Sequence, residues 1–292
     1  MVICPPFMCS IDAYLIPLRA SASKYLNMLA SVVHQNVIWT SSMVSVIIPV
    51  LETKWLPEAL ESIKAKEYTT VETIVVDDKE RSGPAAARNR GLEKASGEYV
   101  LFCDSDDYLE PGAIDKLISE MDGVDMVCGS FRKFGDFEMT VQHQTETLTP
   151  WQVAQYVMTN LLSPGSNQML SGCWAKLFRR ELIGKFPDLT TAEDMAFNFD
   201  YLMRCNEVRF ISDIVYHNRK RQGSLTTTFD AKDSRGLFGF LEGLKYVKNF
   251  MSQFYPADEL EDALDSSKVY HSMLYFSRIA GCGRGTFKRL YL

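Results

Sequence analysis

The stretch Val44-Ser-Val-Ile-Ile-Pro-Val50 decides the fold. It is an unbroken apolar run rich in β-branched residues, the mark of a strand covered on both faces. Pro57 then opens a helix, with Leu56, Leu60 and Ile63 spaced for one buried face. Val71 to Val76 reads as a second strand and stops at Asp77-Asp78. Pro84 to Ala95 reads as a helix stopped by Gly97. Glu98 to Cys103 is the third strand, ending at Asp104-Ser-Asp-Asp107. A helix over Pro111 to Met121 and a fourth strand over Val124 to Gly129 complete the series. This alternation implies an α/β fold with a mostly parallel sheet flanked by helices. In such sheets ligands sit beyond the carboxyl ends of the strands. Both acidic clusters lie at those ends.

Beyond Ser130 the regularity fades. Residues 132–147 are polar with scattered aromatics and read as a hairpin or loop. Thr149-Pro150 caps a helix to about Leu162, residues 163–171 form a Gly/Pro/Asn loop, and Cys173 to Phe178 reads as a strand. Thr191 opens another helix, Val208 to His217 gives one or two strands, and two helices follow between Asp230 and Ala280, broken near Pro256. The organisation is thus an extension over 1–42, a regular strand–helix half over 43–135, a less regular half over 136–229, and a helical region over 230–292. The extension shows no strand–helix alternation, apart from a short amphipathic pattern between Tyr25 and Trp39. Met43, directly before the first strong strand, reads as an alternative start.

Composition excludes several classes. The 292 residues carry 31 Lys and Arg against 37 Asp and Glu, a net charge of −6, which disfavours a broad nucleic-acid surface. No stretch reaches the ~20 apolar residues of a membrane-spanning helix. The seven cysteines (Cys4, Cys9, Cys103, Cys128, Cys173, Cys205, Cys282) are scattered and form no C-x-x-C pair. They read as reduced thiols of a cytoplasmic protein.

Three carboxylates within Asp104-Ser105-Asp106-Asp107 repel one another unless a cation or solvent screens them. A hard divalent ion such as Mg²⁺ or Mn²⁺ takes one or two carboxylates together with diphosphate oxygens. The other reading is a solvated acidic turn capping the next helix. An EF-hand is excluded, because Leu109 stands where that loop requires glycine. Asp78 can accept hydrogen bonds from a base N–H or ribose hydroxyls, or simply close a turn. In Ala85-Ala-Ala-Arg88-Asn89-Arg90-Gly91 the small residues allow close packing on the sheet. Arg88 either faces a diphosphate or lies on the surface. Thr191-Ala-Glu193-Asp194 reads as a capping box from Thr191 to Asp194, or as the carrier of a general base. His217-Asn-Arg219-Lys-Arg221-Gln-Gly223-Ser224 reads as a basic loop that can face a leaving diphosphate, or as a solvated turn.

Together, in this order, Val44–Val50, Val75-Val-Asp-Asp78, Ala86-Ala-Arg-Asn-Arg-Gly91, Tyr99–Asp107 with Pro111, Trp174-Ala-Lys-Leu-Phe178 and Glu193-Asp194 resemble glycosyltransferase family 2. These are inverting, nucleotide-sugar-dependent enzymes of the GT-A fold. The resemblance covers roughly residues 44 to 228. It implies that Asp78, with Pro49, binds the nucleobase, usually uracil, and that Glu52 and Arg88 lie beside the donor. It implies that Asp104-Ser-Asp106 is the D-x-D element, with Asp106 on the metal and Asp104 on ribose or metal-bound water. Asp194 is then the catalytic base and Glu193 orients acceptor or base. Asp77, Asp78, Asp104, Asp106, Asp107, Glu193 and Asp194 are all expected to converge on one site. The implied partners are a UDP-sugar and a saccharide or glycolipid acceptor of cell-surface polysaccharide synthesis. The tail Phe287–Leu292, with Arg278, Arg284 and Lys288, reads first as an ordinary C-terminal helix end and otherwise as a peripheral contact with the inner membrane face.

The chain departs from the family pattern in three places. Leu51-Glu52 stands where the family usually has Tyr-Asn, which removes a stacking ring and adds a negative charge. Only Lys79 to Ala87 separates Asp78 from the Arg88-Asn89 segment, so a helix and a strand are missing. The extension before Met43 lies outside the usual pattern. A non-catalytic nucleotide-sugar-binding relative is the alternative these departures support. A nucleotidyltransferase or dinucleotide oxidoreductase is disfavoured, since no glycine-rich loop follows the first strand.

Overall fold

In the computed structural model, β1 (Met43–Val50) has parallel neighbours on both edges, and Val44, Val46, Ile47 and Ile48 are wholly buried. The structure describes residues 43–63, 70–163, 172–189, 191–221 and 235–279. Outside them lie the extension over 1–42 with its amphipathic pattern, most of the 163–171 loop, the Gln222–Ser224 end of the basic segment, and the C-terminal tail.

β2 (Thr70–Asp77) pairs with β1 from Met43↔Thr70 to Val50↔Asp77, and β3 (Tyr99–Phe102) pairs on the other side from Val44↔Tyr99. All three strands therefore end on one edge, and the acidic turns follow directly. Beyond β3 the sheet changes direction. β8 (Lys176–Arg179) runs antiparallel between β3 and β5 (Met126–Gly135). β9 (Val208–Lys220) then lies parallel to β5, and the two-residue β4 (Tyr108–Leu109) closes the edge antiparallel to β9. β1, β2, β3, β5 and β9 thus run one way, so the sheet is mostly parallel, as expected. The fourth strand of the sequence is not the third strand's neighbour, however. An apolar run shows that a strand is covered; it does not show what lies beside it. Residues 132–147 form the hairpin arm of β5 with β6 (Met139–Val141), followed by β7 (Glu146–Leu148) on β9.

The helices are α1 (Leu56–Ser62), α2 (Pro84–Leu92), α3 (Ala113–Ser119), α4 (Pro150–Leu162), α5 (Glu193–Leu202), α6 (Arg235–Met251) and α7 (Ala257–Ile279). Thr149 closes a full capping box with Gln152 on α4. α2 and α3 are shorter than their apolar spacing suggests. The chain leaves α2 at Glu93 in a turn that folds Lys94 and Ala95 back onto the Gly91 carbonyl. α3 starts only after Gly112, whose φ of 81° no helix accommodates.

α2 lies almost in contact with the sheet. A β-carbon on Gly91 would stand 2.4 Å from Ile47 Cγ2. Replacing Gly91 by alanine gains helix propensity yet forces the wholly buried Ile47 aside. Gly91→Ala is expected to lower stability by about 1–3 kcal/mol in denaturant unfolding. Unchanged or increased stability would contradict this packing.

Candidate active site

Four turns meet at the carboxyl edge of the sheet. The residues after β3 carry Asp104, Asp106 and Asp107; α2 brings Arg88; the start of α5 brings Glu193 and Asp194; the end of β9 brings Tyr216 to Arg221. Arg88 joins the first three of them. The sequence left it between the surface and a diphosphate, but its side chain is 5% exposed. It donates through Nη2 to Asp104 Oδ1 at 2.9 Å and through Nη1 to Glu193 Oε1 at 2.8 Å. The next residue supports the same joint. Asn89 Nδ2 donates to the Phe186 carbonyl and its Oδ1 accepts from the Phe186 N–H, at 2.9 and 2.8 Å. Phe186 stacks on Phe197 of α5, with ring centroids 3.9 Å apart, and both rings pack edge-on against Phe102 of β3. The floor of the site is therefore aromatic, and the charged atoms converge above it.

Asp194 follows Glu193 at the mouth of α5. The expected capping box is absent. The N-cap is Ala192, held in the left-handed region at φ 61°, an unusual conformation for a residue with a β-carbon. The Thr191 hydroxyl donates instead to the Gly236 carbonyl, and Asp194 Oδ1 accepts from the Met195 N–H at 2.8 Å. α6 presses glycines onto this turn: a β-carbon on Gly239 would lie 3.0 Å from both the Thr191 N and O, and one on Gly243 2.9 Å from Met195 Cε. The spacing Gly236-x-x-Gly239-x-x-x-Gly243 was the available signal for this support, and the sequence reading did not use it. Burial and then the Glu193 charge push the Asp194 carboxyl up to about 7, against the pull of Arg88. Burial pushes the neighbouring Cys173 thiol up too, so it stays protonated and unreactive. Cys103, Cys128, Cys173 and Cys205 are all buried thiols that form no disulfide.

The three acids after β3 do not act together. Asp107 turns inward, wholly covered, and accepts from Tyr216 Oη at 2.8 Å, Asn218 Nδ2 at 2.8 Å and the Arg219 N–H at 2.7 Å. Asp104 and Asp106 stay partly open, with side chains 28% and 26% exposed. Burial, followed by the Asp104 charge, pushes the Asp106 carboxyl up. Two hard oxygen donors whose charges resist each other suit a divalent cation that also holds phosphate oxygens. Among the described residues no group of three or more His, Cys, Asp or Glu is placed to hold a metal. A cation here would therefore rest on this pair and on its substrate.

The other expected residues are placed as follows. Asp77 is exposed and pairs with Lys79. Asp78 is buried. Its Oδ1 accepts from the Ser82 N–H and hydroxyl and from Arg90 Nη2, and its Oδ2 from the Gly83 N–H at 3.0 Å. These bonds shape the short loop that replaces the missing helix and strand. Of the seven acids, Asp104 and Glu193 share Arg88, Asp106 meets Arg221, Asp107 is turned inward and Asp77 is exposed. Pro49 is the next-to-last residue of β1 and is paired with Val76 of β2. Glu52 is exposed and stands 3.7 Å from Arg221 Nη2, while Arg221 Nε reaches Asp106 Oδ2 at 3.1 Å. The basic segment is not a loop over His217–Lys220 but the end of β9. There Arg219 lies between the Trp55 and Phe134 rings, 4.0 and 4.6 Å from their centroids.

Two family profiles match the chain, "Glycosyl transferase family 2" over residues 79–186 and "Glycosyltransferase like family 2" over residues 13–126. The chain belongs to glycosyltransferase family 2. It is therefore a glycosyltransferase with the GT-A fold. The second match starts at residue 13 and so reaches into the stretch that the sequence reading set outside the family pattern. The chain is 25% identical to EpsH of Bacillus subtilis (strain 168), named as a glycosyltransferase, over 79% of this chain and 75% of that protein. It is 26% identical to glycosyltransferase GlyG of Streptococcus pneumoniae serotype 4, over 68% of this chain and 77% of that one. The solved structure of S. aureus TarS residues 1–349 with UDP-GlcNAc superposes with a TM-score of 0.59 at 19% identity, covering 77% of this chain and 71% of that one. No helix among the described residues is long and apolar enough to cross a membrane.

The raised Asp194 carboxyl has a consequence for stability. Between about pH 4, where an unfolded aspartate ionises, and about pH 7 the folded state holds a proton that the unfolded chain has released. Stability from this group therefore falls as pH rises through that window. Asp194→Asn abolishes the effect, so the variant is expected to gain on the wild type between pH 5 and pH 8 in unfolding midpoints. Parallel profiles would contradict the assignment.

Proposed function

We propose that this glycosyltransferase transfers a sugar from a UDP-sugar to a hydroxyl of a saccharide or lipid-linked acceptor, with inversion, in cell-surface polysaccharide synthesis. The observation that carries the reading is the Arg88 bridge. It holds the pair suited to a cation, through Asp104, and the base-bearing turn, through Glu193, at one separation. The UDP-GlcNAc in the TarS structure supports a UDP-sugar donor, and the names of EpsH and GlyG support sugar transfer. The reading places the work in the cytoplasm, with peripheral contact at the inner membrane face when the acceptor is a lipid.

Asp104 and Asp106 would hold Mn²⁺ or Mg²⁺, and the cation would supply positive charge to offset the charge of the leaving diphosphate. Pro49 and Asp78 stand on the nucleobase side; Asp78 contributes through Oδ2, which accepts a single described hydrogen bond, and through the loop it orders. Glu52 borders the donor and is balanced by Arg221. Asp194 takes the proton of the acceptor hydroxyl as that oxygen attacks the anomeric carbon from the face opposite the diphosphate. A base near pH 7 is well matched to this task, because it is substantially ionised at neutral pH and still basic enough to accept a proton. Glu193 is neutralised by Arg88 and orients the turn, which leaves Asp194 as the free base. Arg88 acts by positioning these acids.

Calorimetry with UDP and Mn²⁺ tests the division of labour. Asp106→Asn is expected to lose Mn²⁺-dependent UDP binding. Asp194→Asn is expected to bind as the wild type does and to lose turnover of a UDP-sugar panel by about 10²–10⁴-fold. Unchanged UDP affinity in Asp106→Asn, or full turnover in Asp194→Asn, would overturn the assignments.

A further inference from the structure

Asp107 and Tyr216 have no part in the chemistry above, yet they are the most deeply covered polar side chains beside it. Asp107 is 1% exposed and Tyr216 is wholly buried. The Tyr216 hydroxyl makes two bonds that face opposite ways. It donates to Asp107 Oδ2 at 2.8 Å, and it accepts from the backbone N–H of Asp104 at 3.0 Å. Asp107 Oδ2 takes a second donor from Asn218 Nδ2 at 2.8 Å, and Oδ1 takes the Arg219 N–H at 2.7 Å. Arg219 Nε then returns to the Asp106 carbonyl at 2.9 Å. The turn from Asp104 to Asp107 is thus tied to β9 at its first residue, its third and its last. The Asp107 N–H closes the turn on the Asp104 carbonyl at 3.1 Å. Tyr216 itself has little freedom: the Trp174 ring stacks on it with centroids 5.0 Å apart and planes 13° apart.

We infer that Asp107 and Tyr216 are positioning residues that hold the Asp104–Asp106 pair in the geometry the cation needs. The inference deepens the proposed function and rests on it for the cation alone. The physical argument has two steps. Asp104 and Asp106 are like charges two residues apart on one turn, so a free turn would swing them apart into water. A site for a divalent ion needs its oxygens held to within about half an ångström. Arg88 and Arg221 each take one carboxylate oxygen, and bonds to the backbone of the turn add hold without occupying any further carboxylate oxygen. The Tyr216 hydroxyl on the Asp104 N–H and Arg219 on the Asp106 carbonyl are such bonds. Asp107 is the anchor for both, because it orients the Tyr216 hydroxyl and fixes the Arg219 backbone. The third acid of the motif is on this account a clamp and not a ligand.

Tyr216→Phe removes the hydroxyl and keeps the ring that stacks on Trp174. Two measurements on the full chain test the inference. Hydrogen exchange of the peptide spanning residues 103–107 is read without any cation or nucleotide, and is expected to speed up about tenfold in the variant. The Mn²⁺ concentration for half-maximal UDP binding is read by calorimetry, and is expected to rise about tenfold, with UDP affinity at saturating Mn²⁺ within about twofold of the wild type. Asp107→Asn, which keeps an acceptor for Tyr216, is expected to fall between wild type and Tyr216→Phe in both readouts. Unchanged exchange in Tyr216→Phe would overturn the clamp. Faster exchange with unchanged Mn²⁺ dependence would overturn its role in cation binding. If the wild type itself showed no Mn²⁺-dependent UDP binding, the proposed function would fail, and the exchange arm alone would decide whether the clamp exists.

Discussion

A buried guanidinium between two carboxylates is the interaction on which the rest of this structure depends. Arg88 sits above the aromatic floor formed by Phe102, Phe186 and Phe197, where an unpaired charge is costly to keep. Asp104 and Glu193 each supply the compensating charge, and each comes from a different part of the chain. The constraint is reciprocal. Without Arg88, Glu193 would be a buried anion with Asp194 beside it; without the two acids, Arg88 could not be buried. The fold is arranged so that neither case arises. Gly91 lets α2 approach the sheet closely, Asn89 fastens the Phe186 backbone, and the glycines of α6 press the Ala192 turn into place.

The same arrangement explains how four carboxylates can share one small region. Electrostatic repulsion is divided among specific partners: Asp104 and Glu193 share Arg88, Asp106 meets Arg221, and Asp194 is left with its own helix N–H and a raised proton affinity. Asp194 is thus the group able to exchange a proton near neutrality. The proposed assignment of base chemistry to Asp194 rests on this division.

Much of this architecture was legible in the sequence, and the limits were physical. The apolar runs of β1, β2 and β3 marked covered strands, and the acids after β2 and β3 marked the carboxyl edge of the sheet. Thr149-Pro150 announced α4 correctly. The antiparallel β8 was not legible as an insertion between β3 and β5, because hydrophobic periodicity carries no information about neighbours. Arg88 could not be placed, because burial of an arginine depends on partners 16 and 105 residues away. Asp107 looked like its neighbours in composition; only the position of Tyr216 on a strand 109 residues later turns it inward. Thr191 and Asp194 had the spacing of a capping box, yet the left-handed turn at Ala192 is imposed by α6, which lies more than 40 residues further on.

The account stands or falls on whether Arg88 energetically joins the two acidic elements. A double-mutant cycle between Arg88→Met and Glu193→Gln, read by equilibrium denaturant unfolding of the full chain, measures that joint directly. Arg88→Met alone is expected to cost about 3–5 kcal/mol, because it leaves buried acid without its counter-charge. Combining it with Glu193→Gln is expected to recover about 2 kcal/mol of that loss, a coupling typical of groups in one buried network. Strictly additive effects, with no coupling between the two positions, would contradict the claim that this guanidinium holds the site together.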